Sequence, residues 1–191
     1  MIRGELVNLR AVERADAPDL FRWFNDPELM RFWGVADATA SSNEIQRRIE
    51  GWLEEEGRLG RPACLIVETL EGEAVGLVVL GDYRPNDRSV ALSLLIGERT
   101  RWGQGLGGDT VRTVVDACFA AWNLHRVWLR TEAFNERAQR LYRRCGFRHE
   151  ATLRGATYLE GEYHDVLVFA LLEPDAVQVA GQVPPARSGN R

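Results

Sequence analysis

The sequence predicts a mixed α+β fold, an αβα sandwich with helices on both faces of a largely antiparallel sheet that contains one parallel, splayed pair of strands. Three observations carry the prediction. Strand-like apolar runs at 63–68 (ACLIVE), 74–80 (AVGLVVL) and 90–96 (VALSLLI) follow one another across short polar connections, as in an antiparallel meander. The last of these is joined to a further run at 125–131 (HRVWLRT) by an amphipathic helix, and such a crossover makes its two strands parallel and right-handed. Helical segments stand both before and after the meander, so both faces of the sheet can be covered.

Each element has a local reason. Leu6, Val7 and Leu9, flanked by Arg3, Glu5, Asn8 and Arg10, suggest a first strand with imperfect alternation. A helix begins at Asp16, with Pro18 in its first turn and Leu20, Phe21, Trp23 and Phe24 on an apolar face. Asn25-Asp26-Pro27 breaks it, because the residue before proline disfavours the α region; an aromatic knot, Met30 to Trp33, follows. A second helix is predicted from Ser41 or Ser42 to about Glu56, with Ser41 and Glu44 at capping-box spacing and Gly57 and Gly60 ending it. The crossover helix carries Leu106, Thr110, Val111, Val114, Val115, Cys118, Phe119 and Trp122 as an apolar stripe. A further helix spans 135–145, with Asn135 as its N-cap and Gly146 just past its end. Runs at 147–153 and 163–172 close the sheet around a turn at Gly161. Beyond Pro174 the text turns rich in Gly and Pro, so the sequence divides into one domain, 1–173, and a tail expected to be disordered, 174–191.

Composition narrows the function. With 191 residues, 45% hydrophobic, the chain can bury one substantial core. A net charge of −4 gives no general footprint for nucleic acid. No apolar run approaches membrane-spanning length and the N-terminus has no signal-peptide core, which predicts a cytoplasmic protein away from membranes. Cys64, Cys118 and Cys145 are an odd set without a CxxC pair and are expected as buried free thiols. His125, His149 and His164 are scattered, so no metal site is predicted.

The chemistry is concentrated between Leu92 and Gly108. An apolar strand runs into a charged loop, then four glycines (Gly103, Gly105, Gly107, Gly108), then a helix. The first amides of a helix have no partner within it and carry the positive end of its dipole, and glycine lets the backbone approach a phosphate closely. The stretch is either an anion cradle or a turn without a ligand.

Three stretches in order resemble the Gcn5-related N-acetyltransferase superfamily, and within it the group of ribosomal-protein N-terminal acetyltransferases. They are IGERTRWGQGLGG (96–108), similar to the family's Q/R-x-x-G-x-G/A pyrophosphate loop; NLHRVWLRTEAFNERAQRLYRRCGFRHEA (123–151), similar to its strand and N-x-x-[SA]-x-x-x-Y-x-x-x-G-F helix; and LEGEYHDVLVFALL (159–172), like the group's last hairpin. The opening segment, 6–33, also matches this group. The resemblance implies the acyl-CoA N-acyltransferase fold and an acetyl-CoA-dependent enzyme acting on a primary amine, either a protein N-terminus or a small molecule. Aminoglycoside or polyamine acetylation and a non-catalytic acyl-CoA-binding module are the alternatives. It further implies that the coenzyme lies where strands 90–96 and 125–131 splay. Leu94, Leu95 and Ile96 would meet its pantetheine arm through their backbone, and Trp102, Gly103, Gln104, Gly105, Leu106, Gly107 and Gly108 would form the pyrophosphate loop, with Trp102 replacing the family's Q/R. Asn135 falls on the pantetheine asparagine, and Tyr142 on the tyrosine that protonates the leaving thiolate. Ala138 closes the serine alternative used by some relatives. A catalytic carboxylate often found near position 91 is absent, leaving Asp82, Ser93, Glu98 and Glu132 as base candidates, of which Glu132 is favoured. The acceptor side would draw on Phe32, Trp33, Ser93 and Tyr158, with Glu160 or Asp165, whereas Trp52 reads as core. His164 and Asp165 adjoin on a strand and so face opposite ways. Related enzymes are often homodimers.

Overall fold

The structure, a computed structural model, describes residues 1–34 and 39–180. In chain order its elements are β1 (Ile2–Arg3), β2 (Val7–Ala11), α1 (Ala17–Phe24), α2 (Pro27–Phe32), α3 (Ser42–Leu59), β3 (Cys64–Thr69), β4 (Ala74–Arg84), β5 (Ser89–Ile96), α4 (Leu106–Asp116), β6 (Arg126–Glu132), α5 (Glu136–Arg144), β7 (Arg148–Leu159), β8 (Glu162–Leu172) and α6 (Glu173–Ala180). The described strands form one eight-stranded sheet in the order β1-β2-β3-β4-β5-β6-β8-β7, antiparallel throughout except for β5 with β6. No helix among the described residues is long and apolar enough to cross a membrane.

The parallel pair places the site. β5 and β6 are in register only at Ser89↔Arg126, Val90↔Val127 and Ala91↔Trp128. Past Ala91, β5 stays with β4 as far as Gly76↔Ile96, and β6 stays with β8 as far as Glu132↔Val166. Each strand follows its own antiparallel partner, so the two diverge and leave facing backbone edges without a ladder between them.

Strand alternation sends side chains into two cores, one on each face. Val90, Leu92 and Leu94 pack toward α4 and α5 with Val111, Val114 and Leu141, whereas Leu77 and Leu95 pack toward α1–α3 with Leu20, Trp23, Ile45 and Ile49. The local signals act as expected at several ends. Asp26 accepts hydrogen bonds from the amides of Glu28 and Leu29 to start α2, Ser41 caps α3 through the Glu44 amide at 3.2 Å, and Asn135 caps α5 through the Ala138 amide at 3.1 Å. Glu160 and Gly161, with φ of 52° and 86°, make the two-residue hairpin between β7 and β8.

Other boundaries differ for identifiable reasons. The aromatic knot is a short helix, α2, because Asp26 caps it and Pro27 opens it. α3 continues through Gly57 to Leu59 and stops only where Gly60 adopts the left-handed conformation at φ 66°. β4 and β7 run beyond their predicted ends because irregularities at Gly81/Arg84 and Leu153/Thr157 let pairing resume after a break. The crossover helix ends in a π-helical turn, Ala117–Ala121. α6 spans Glu173–Ala180 and so takes in the first residues of the expected tail, 174–191; the rest of that tail, 181–191, and part of the α2–α3 connection lie outside the described residues.

The end of β5 is held by a close approach at Gly97. A Cβ there would stand 2.4 Å from the Trp23 ring, whose indole N–H donates to the Glu98 carboxylate at 3.0 Å. Gly97→Ala is expected to lower stability by about 1–3 kcal/mol through overpacking. A denaturant midpoint unchanged from wild type would show that Trp23 can move aside.

Candidate active site

Where β5 and β6 part, a cleft of about 770 Å³ opens. Its sides are residues 91–96 of β5 and 128–132 of β6; Leu29, Phe32 and Trp33 close it from α2, and Ala138, Leu141 and Tyr142 from α5. Leu153, Thr157 and Val166 of the β7–β8 hairpin complete it. α2 spans this opening as a strap. Phe32 lies 6.3 Å from Phe134 and 6.4 Å from Trp102, and Arg31 reaches the Glu160 carboxylate at 3.1 Å at the hairpin tip.

Glu132 ends β6 inside the cleft, 8% exposed. Gly34 makes room for it: at φ 79° a side chain would be strained, and a Cβ there would stand 2.6 Å from Glu132 Oε1. The Thr157 hydroxyl approaches the same oxygen at 3.5 Å. Burial raises the Glu132 pKa from its ordinary value, partly offset by backbone and Thr157 hydrogen bonds and by His164. A carboxylate of raised basicity in a cleft is suited to accepting a proton.

Tyr142 reaches the cleft from α5, packed against Phe147 and Phe169 at 6.0 and 6.3 Å. Burial, with Cys145 and Glu132 nearby, pushes its pKa above the ordinary 10, so the phenol keeps its proton. Below it, Gly103 and Gly105 adopt φ of 80° and 86°, and α4 starts directly after Gly105. Gly108 and Asp109 donate to the Gly105 carbonyl; among the described residues the amides of Gln104, Gly105, Leu106 and Gly107 have no acceptor within the chain. That is an anion cradle. Trp102 donates its indole N–H to the Ile96 carbonyl at 2.8 Å, and Arg137 lies 4.4 Å above the Trp102 ring. Desolvation pulls the Arg137 pKa down, and among the described residues no carboxylate is paired with it.

The cleft brings together Phe32, Trp33, Ser93, Leu94, Leu95, Ile96, Trp102, Gly107, Glu132, Asn135 and Tyr142 of the predicted set. Gly103, Gln104, Gly105, Leu106 and Gly108 do not line the cavity itself; the Leu106 side chain is core, and the Gly108 amide is spent on Gly105. Ile96 has its carbonyl engaged by Trp102, which reduces its use in backbone pairing. Tyr158 is misplaced by the prediction: it is 62% exposed and pairs with Tyr163 at 5.0 Å, outside the cleft. Of the base candidates, Glu98 is held by Arg22 and Trp23, and Asp82 lines the cleft 3.7 Å from Arg84. Glu160 pairs with Arg31, and Asp165 accepts the Gly155 amide. Arg130 and Arg137 also line the cleft and were missed, since an arginine on a strand or a helix reads as a solvated surface charge.

The model of the acetyltransferase (GNAT) domain matches residues 7–148. The chain belongs to the GNAT acetyltransferase family. Spermidine N(1)-acetyltransferase of Vibrio cholerae serotype O1 is 25% identical over 167 residues, covering 87% of this chain and 93% of that protein. Aminoglycoside N(6')-acetyltransferase type 1 of Klebsiella pneumoniae is 26% identical over 157 residues, 78% of each. The crystal structure of the Vibrio cholerae spermidine N-acetyltransferase in complex with CoA and spermine superposes with a TM-score of 0.81 at 25% identity, covering 90% of this chain and 98% of that one. The match is to the superfamily and does not single out the ribosomal-protein group. The protein is thus an N-acetyltransferase that uses acetyl-CoA. The residues fit that coenzyme: unpaired strand edges for an extended arm, and free amides beside a desolvated arginine for phosphates.

Proposed function

We propose that this GNAT enzyme acetylates the primary amine of a small molecule by direct attack, with Glu132 as general base and Tyr142 as proton donor to the departing sulfur. One observation carries the reading: a buried carboxylate of raised pKa and a protonated phenol share one cleft at the point where β5 and β6 separate. Acetyl-CoA, when bound, supplies a thioester whose C–S bond breaks as the N–C bond to the amine forms. Glu132 accepts the proton that the ammonium must lose. Unpaired backbone of β5 beyond Ala91 aligns the coenzyme arm as an added strand, and its amides polarise the carbonyl oxygen. Tyr142 donates to sulfur as the electron pair arrives there; the apolar surroundings that raise the phenol's proton affinity raise the thiolate's as well. The Gln104–Gly107 amides hold the pyrophosphate, with Arg137 stacked on Trp102 supplying the cation that Trp102, at the family's Q/R position, does not.

The test has two readouts. Acetyl-CoA at about 100 times its Kd should stabilise the protein by about 2.7 kcal/mol, a Tm rise of roughly 5–10 °C for a chain this size. With the coenzyme bound, an amine panel should contain at least one acceptor that releases free CoA at a rate depending on amine concentration. A shift without CoA release from any amine would favour a binding module and sink the catalytic reading.

A further inference from the structure

We propose that the acceptor carries a carboxylate beside its primary amine, an amino acid with an apolar side chain being the class, and that Arg130 holds that carboxylate; this rests on the acetyl-transfer reading above. Arg130 and Glu132 stand two residues apart on β6, so they leave the same face of the strand with Cα atoms about 7 Å apart. Both line the cleft. The neighbouring Arg126 is paired with Glu150 at 2.5 Å and Arg148 with Asp175 at 2.9 Å, but Arg130 joins no ion pair among the described residues. Its guanidinium instead lies 5.1 Å from the Trp128 ring centre, exposed.

The remaining cleft carboxylates are committed elsewhere. Glu28 is held by Arg99 and Asp82 stands beside Arg84, which leaves Glu132. A polycation entering this cleft would find one usable carboxylate and, next to it, an uncompensated cation. An amino acid finds Glu132 for its ammonium and, a few bonds away, a planar fork that takes a carboxylate through two parallel hydrogen bonds. Phe32, Trp33 and Leu153 offer the side chain apolar walls. The named substrates of the two curated relatives are a polyamine and aminoglycosides; the uncompensated Arg130 separates this chain from a polyamine site.

The experiment compares amines that differ in their anion. CoA release is followed with phenylalanine against phenethylamine, phosphoethanolamine against ethanolamine, and spermidine, using wild type, Arg130→Ala and Arg130→Glu. In wild type, kcat/KM for phenylalanine should exceed that for phenethylamine and spermidine at least about ten-fold. Arg130→Ala should collapse the phenylalanine-to-phenethylamine ratio to within about three-fold, acting through KM, and Arg130→Glu should turn the order in favour of spermidine. Both amines are measured on one preparation, so loss of folded enzyme cancels in the ratio. Equal turnover of phenylalanine and phenethylamine by wild type, or a ratio that survives Arg130→Ala, overturns the proposal. A preference confined to phosphoethanolamine overturns the carboxylate assignment. Acetyl-CoA binding with no turnover of any amine overturns the acetyl-transfer reading itself and this proposal with it.

Discussion

Glu132→Gln is expected to lower kcat by about 10²- to 10³-fold, the range of a lost general base, while acetyl-CoA still raises Tm as in wild type. The substitution keeps the shape that fills the space beside Gly34 and keeps an oxygen for Thr157, so it removes the charge with little disturbance of the packing. Its sign on stability is also set. Burial raises the folded-state pKa of Glu132 above its unfolded value, so the folded protein holds the neutral form longer, and ionising this group as pH rises through the folded pKa costs stability. Glutamine cannot ionise, so the variant should be as stable as wild type in acid and more stable above that pKa. A slower enzyme with equal or higher Tm at pH 8 identifies a catalytic carboxylate, whereas slowing accompanied by a lower Tm points to packing. The pH–rate profile gives a second check. Wild-type kcat should rise along a limb displaced above the ordinary carboxylate value near 4.3, and the glutamine variant should lack that limb.

The parts of this site that were legible in the sequence are those the backbone dictates. The glycines at 103 and 105 announce positive φ, Asn135 announces a helix start, and the crossover at 90–131 announces a parallel pair; each follows from a rule that acts over a few residues. The divergence of that pair was legible only through the resemblance, because it depends on which outer partner each strand follows. Glu132 is the favoured of four base candidates in the sequence, but its enclosure depends on Gly34, far away in the chain. Arg137 and Arg130 have no local mark at all: their meaning comes from Trp102 and Trp128 beneath them and from the absence of carboxylate partners among the described residues. Tyr158 failed for a related reason. The irregularity between Leu153 and Thr157 inserts two residues and so keeps the alternation of β7: Leu153 and Thr157 share the face that lines the cleft, and Tyr158, one residue on, lies on the other.

Tyr142→Phe is expected to reduce kcat by about 10²-fold with Kd for acetyl-CoA changed by less than about three-fold. The ring itself belongs to the core, against Phe147 and Phe169, and phenylalanine preserves that contact. The hydroxyl makes no hydrogen bond within the chain among the described residues, so its removal strands no partner, and Tm should stay within a degree or two of wild type. A tyrosine that served packing alone would therefore lose neither rate nor stability on this substitution. The split between kcat and Kd tells the roles apart, because a donor to the departing sulfur acts as the bond breaks and contributes little to the ground-state complex. Because the Tyr142 pKa is raised above 10, the phenol stays protonated across the working range, and wild-type kcat should show no alkaline fall attributable to it below pH 10. Full kcat in the phenylalanine variant would remove Tyr142 from the chemistry and leave proton delivery to water in the gap between β5 and β6.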